Sequence, residues 1–160
     1  NSTAPDFTGA VLLQGDNMDW LNIYGLLILV VIMIPNIIYA IKCKDGFQNK
    51  FENKTLELFE QISRFGSFGF MVINVLYFGF WFDNALSVYL TVNGFLVSLY
   101  CIIWFACGKS ESLFKALALS IIPSAIFIFS GIMLLHIPLI IFSILFAVCH
   151  ITISYKNSIL

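Results

Sequence analysis

The chain has 160 residues; 60% are hydrophobic, 11% are charged and seventeen are Phe, with a mean hydropathy of +0.95. Soluble domains run near half apolar and about a quarter charged, so a water-soluble fold of this size has no interior large enough for so much apolar surface. The net charge of −1 argues against a nucleic-acid partner, which needs a basic face. The solvent for most of this chain is a lipid bilayer.

Residues 1 to 17, NSTAPDFTGAVLLQGDN, are small, polar and loop-like. With Met18 standing where the first apolar run begins, they read as an external leader appended for expression or as a disordered, processed tail. The remainder, 18–160, reads as one all-α transmembrane domain. Runs of about twenty apolar residues predict five membrane-spanning helices: Trp20–Ile41, Phe65–Phe82, Ala85–Cys107, Leu113–Leu135 and Ile137–Tyr155. A polar turn, Leu56–Arg64, precedes the second and continues the same helix toward water. The short LHIPL segment between the fourth and fifth predicts a tight helical hairpin. Pro35 and Pro123 fall inside spans, where neighbouring helices satisfy the freed carbonyls.

Basic residues set the expected orientation. Lys42, Lys44, Lys50, Lys54 and Arg64 follow the first span, Lys109 and Lys115 the third, and Lys156 the fifth. Five spans put all of these on one side, facing Asp6, Asp16, Asp19 and Asp83 on the other. The positive-inside rule then places the amino terminus outside and the carboxyl terminus in the cytoplasm of a cell-membrane protein. Trp20 and Trp81 become outer-interface anchors and Trp104 an inner one. Cys43, Cys101, Cys107 and Cys149 lie toward the reducing side with no metal-type spacing, so no disulfide is expected. The Ile, Asn, Lys and Phe bias points to an AT-rich bacterial genome.

At about 100° per residue each span carries a stripe of small or polar side chains. In the second these are Glu60, Arg64, Ser67, Met71 and Asn74, with Glu60 and Arg64 in the favourable acid-first i, i+4 order. The fifth aligns His136, Ser143, His150 and Ser154, and the fourth Ala116, Ser120, Ser124 and Gly131. The third aligns Ser87, Gly94 and Cys101 beside Thr91 and Ser98, and the first Asn22, Gly25, Asn36 and Ala40. The plainest expectation is that these stripes are the helix contacts, since small residues let membrane helices approach closely. Gly66 and Gly69 in RFGSFGF read the same way and not as a phosphate loop.

Ionisable groups at bilayer depth cost about 3 kcal/mol or more when uncompensated, so they face partners or water. Asn36, Tyr39, Glu57, Glu60, Arg64, Ser120, His150 and Ser154 share a depth on the cytoplasmic side, and Asn74 extends the second stripe inward. Together they predict a polar cavity open to the cytoplasm, with Glu60 holding Arg64 and a Glu60–His150 proton-coupled pair as one use of it. His136 and His150 are about 21 Å apart along a helix and cannot share a metal. No HExxH, glycine-rich phosphate loop or GxSxG elbow occurs. No catalytic residue, metal or cofactor is assigned.

Three functions follow from this reading. The leading one is a protein that binds or passes a small solute, ion or lipid, with a homo-oligomer or a partner membrane subunit completing the pathway. The alternatives are an accessory or structural subunit without a ligand, and an enzyme acting at the inner leaflet through Glu60, Arg64 and His150.

Overall fold

The computed structural model describes residues 20–42, 50–107 and 112–160. Five helices carry the described chain: α1 (Ile23–Lys42), α2 (Lys54–Val72), α3 (Ala85–Cys107), α4 (Leu113–Met133) and α5 (Ile137–Ile159). The leader, Cys43, Lys44 and Lys109 lie outside the described residues. Four helices, α1, α3, α4 and α5, are long and apolar enough to cross a bilayer. The protein is an all-α, multi-pass membrane bundle.

α2 departs from expectation. The polar turn Leu56–Arg64 belongs to the same helix, as expected, and the helix starts at Lys54, but the span predicted over Phe65–Phe82 stops at Val72. Its start is set by Asn53, whose side chain accepts the Leu56 amide at 3.1 Å and so satisfies one of the orphan N–H groups of the first turn. Its end is set by competition for the backbone. Val72, Ile73 and Val75 bring β-branched side chains, and the chain leaves the helix to pair with the segment entering α1. There Asn22 N–H donates to the Val72 carbonyl at 2.7 Å and Asn74 N–H to the Trp20 carbonyl at 2.9 Å. Residues 73–84 then run as turns and extended backbone, with Leu76 and Gly79 at positive φ. Trp20 and Trp81, both exposed, share this end of the bundle.

The hairpin between α4 and α5 is as tight as predicted, and its bonding is a Schellman closure. His136 N–H returns to the Gly131 carbonyl and Leu135 N–H to the Ile132 carbonyl, with Leu135 at φ 47 in the left-handed position usually held by glycine. His136 is not a face residue of α5 but its N-cap: Nδ1 accepts the Leu139 amide. Nε2 lies 3.0 Å from the Ile73 carbonyl and 3.3 Å from the Val75 amide, tying the end of α2 to the start of α5.

Consecutive helices alternate in direction. α4 packs on α3 and α5, α5 on α2, and α1 on both α2 and α3, so the helices close a ring with α4 the most enclosed. Two glycines mark the closest crossings. A Cβ on Gly25 would overlap the Met71 carbonyl oxygen, and one on Gly66 would overlap the Phe142 ring. The core of the bundle gathers Ile32, Met71, Ile126, Phe127, Leu139 and Phe146.

The small and polar stripes of α2, α4 and α5 turn inward at Ser67, Met71, Ser120, Ser124, Gly131 and Ser143, all buried, and Ser63 and Ser130, outside those stripes, are buried as well. The stripe on α3 does not. Ser87, Thr91, Gly94 and Ser98 are exposed, and the inward face is Ala85, Tyr89, Asn93 and Tyr100. The reason lies in hydrogen-bond capacity. Ser98 satisfies its hydroxyl on the Gly94 carbonyl of its own helix at 2.7 Å, so it faces lipid at little cost. The Asn93 amide has more sites to fill and turns to Ser130 of α4, 3.2 Å away.

Candidate functional site

Glu60 and Arg64 stand on the first half of α2, facing α5 across the ring. The i, i+4 spacing lets Arg64 Nε donate to Glu60 Oε1 at 3.0 Å, and Nη2 donates to the same oxygen. That oxygen also accepts from His150 Nδ1 of α5 at 2.8 Å. An ionised carboxylate accepts only, so this bond puts a proton on His150 Nδ1. The His150 ring stacks on Phe146 with centroids 4.7 Å apart and planes 17° from parallel, which holds the imidazole at the carboxylate.

Burial differs sharply across the group. The Glu60 side chain is 5% exposed and that of Arg64 is 40% exposed, with His150 between them at 25%. Glu60 is thus a buried anchor, and Arg64 and His150 are the members within reach of a solute. Arg64 commits Nε and one Nη2 hydrogen to Glu60. The opposite edge of the guanidinium, formed by Nη1 and the second Nη2 hydrogen, keeps its donors.

These residues form part of the wall of a cavity of about 920 Å³, within the range of small-molecule sites. It lies in the half of the ring where the described basic residues collect. Along α4 it extends from Ser112 to Phe127, about 22 Å of helix. Lys50, Glu57, Lys115, Ser154 and Asn157 lie toward its mouth, Glu60, Arg64 and His150 form one wall, and Ile32, Phe68, Phe127 and Phe146 form an apolar floor.

Eight of the nine residues selected from the sequence line this cavity: Asn36, Tyr39, Glu57, Glu60, Arg64, Ser120, His150 and Ser154. Asn74 does not. It lies past the end of α2, beside a small cavity of about 130 Å³ at the opposite end of the bundle, because α2 stops before reaching it. Asn36 is held from both sides, donating to the Ile32 carbonyl at 3.1 Å and accepting from the Tyr100 hydroxyl at 3.1 Å.

Several lining residues had no stripe to announce them. Asn157, near the end of α5, accepts the amides of Lys50 and Phe51 at 2.8 and 2.9 Å and so pins the segment that enters α2. Lys115 Nζ sits 5.4 Å over the Trp104 ring, which in turn packs against Tyr39. Tyr100 could have been found from the large polar side chains of α3, Tyr89, Asn93 and Tyr100, which outweigh its small ones. Among the described residues no group of His, Cys, Asp and Glu side chains could hold a metal ion.

No family model, curated protein or solved structure matches the chain.

Proposed function

We propose that this protein binds or passes a small solute, ion or lipid through the cavity lined by all five helices, with the basic end of the bundle facing the cytoplasm of a cell membrane. The observation that carries this reading is the Glu60–Arg64–His150 group, a buried carboxylate holding two cation-capable side chains at the wall of a roomy cavity. Ionisable groups at this depth are costly and mark ligand paths by default. A purely structural subunit would bury the same group against dry helix seams, as Asn93 and Ser130 are buried.

A carboxylate bonded to an imidazole is also the arrangement of an acid–base pair, which keeps the inner-leaflet enzyme as the second reading. Binding is favoured over it because, among the described residues, no Ser, Thr or Cys side chain bonds to His150 to serve as a nucleophile.

The test uses a chain whose four native cysteines are replaced by alanine. A cysteine introduced at Ser154 is expected to react quickly with a membrane-impermeant thiol reagent applied from the cytoplasmic side, and one at Ser130 is expected to stay unreactive. Equal protection of both would show a dry interior and defeat the reading.

A further inference from the structure

We infer that the ligand of this cavity is a single-chain amphiphile with an oxyanion headgroup, a carboxylate or phosphate, bound with its head on the free edge of Arg64 and its chain on the aromatic floor. The inference rests on the binding reading above and names its ligand class.

Three observations converge on it. First, the guanidinium is already fixed by Glu60 through Nε and Nη2, so its remaining edge is a pre-oriented fork of the kind that grips a planar oxyanion through two parallel bonds. Glu60 is itself anchored by His150, and little side-chain freedom is left to lose when a ligand arrives. Second, the charged lining is biased toward cations: Lys50, Arg64 and Lys115 against Glu57 and Glu60, with His150 adding a further positive charge when protonated. Third, the space beyond Arg64 is not polar. It continues to Met33, Phe68, Leu119 and Ile153, with Phe68 backed by the buried Phe127 ring at 5.6 Å and that ring by Phe146 at 5.8 Å. A hydrated inorganic ion gains nothing from such a floor, whereas an acyl chain gains for each buried methylene. A charged wall above an apolar floor matches one molecule that has both ends.

Trp104 lines the cavity, and Trp20 and Trp81 lie at the far end, so the double variant Trp20→Phe/Trp81→Phe leaves a reporter at the site. In detergent micelles, a monoacyl phosphate with a brominated chain is expected to quench Trp104 saturably. A monoacylglycerol with the same chain should bind about tenfold or more weakly, and inorganic phosphate alone should not displace the acyl phosphate at equal concentration. Arg64→Gln should erase the preference for the charged head, and Arg64→Lys should restore part of it. The double variant Glu60→Gln/Arg64→Gln removes the fork without leaving a bare buried carboxylate, and gives the same comparison in a chain spared that strain.

Equal affinity for the charged and neutral chains, unchanged by Arg64→Gln, would overturn the headgroup assignment and leave the cavity reading standing. Displacement by inorganic phosphate at equal concentration would make the ligand a free oxyanion and overturn the chain assignment. Absence of saturable quenching by either chain, with the cysteine at Ser154 still reactive, would overturn the amphiphile alone. An unreactive cysteine there would overturn the cavity reading beneath it.

Discussion

His150 Nδ1 and Glu60 Oε1 lie 2.8 Å apart although ninety residues separate them in sequence. The same oxygen carries Arg64, so one carboxylate joins the first half of α2 to the second half of α5. Because Glu60 is nearly inaccessible, its two partners are not interchangeable with water. Truncating His150 to Ala should lower bundle stability by about 1–3 kcal/mol, the usual cost of a charge-assisted bond lost at a buried acceptor. Arg64→Ala should cost less, since that side chain is 40% exposed and partly screened. The loss in the double variant should exceed the sum of the two, because only that variant strips Glu60 of both its partners among the described residues. A double-mutant cycle read by thermal unfolding in detergent checks this, and strict additivity would mean that Glu60 finds another donor.

Helix crossings offer a sharper contrast. Gly25→Val drives a side chain into the Met71 carbonyl, where backbone on both sides leaves nothing to yield, and should prevent recovery of folded protein. Gly94→Ala meets nothing within 4 Å and should leave the chain folded, with an equal or slightly higher melting temperature. Size-exclusion profiles of the two variants make the comparison, and a folded Gly25→Val chain would mean that α1 does not cross α2 at this point.

Leu135 occupies a left-handed backbone position at φ 47, which costs a residue bearing a Cβ about 1–2 kcal/mol. Leu135→Gly is therefore expected to stabilise the hairpin by roughly 1 kcal/mol after the entropy that glycine loses on folding. The measurement is the shift of the unfolding midpoint. A decrease would show that the leucine side chain, although exposed, contributes more packing than its backbone costs.

Topology is tested at the one helix that is not apolar throughout. Cysteines at Lys50 and Asp83 bracket α2 and the irregular segment after it. They are expected to be labelled from opposite sides of the membrane, since α1 and α3 run parallel and α2 returns between them. Labelling from the same side would mean that α2 dips into the bilayer without crossing it.

Sequence alone determined the membrane class, because hydropathy is a property of composition over about twenty residues and needs no partner to be read. It also determined the hairpin at LHIPL and the shared level along the bundle of Asn36, Glu60, Arg64, Ser120, His150 and Ser154, since rise per residue converts position into height once a helix is recognised. Only the tertiary structure decided which face of α3 turns inward, where α2 ends, and that Asn74 belongs to the opposite end of the bundle. Each of these depends on a partner distant in sequence. Asn93 faces inward because Ser130 is there to meet it. α2 stops at Val72 because Trp20 and Asn22 compete for its last backbone groups. Apolar runs look alike whether they are helical or extended, and the choice between the two rests on hydrogen bonds that no local pattern records.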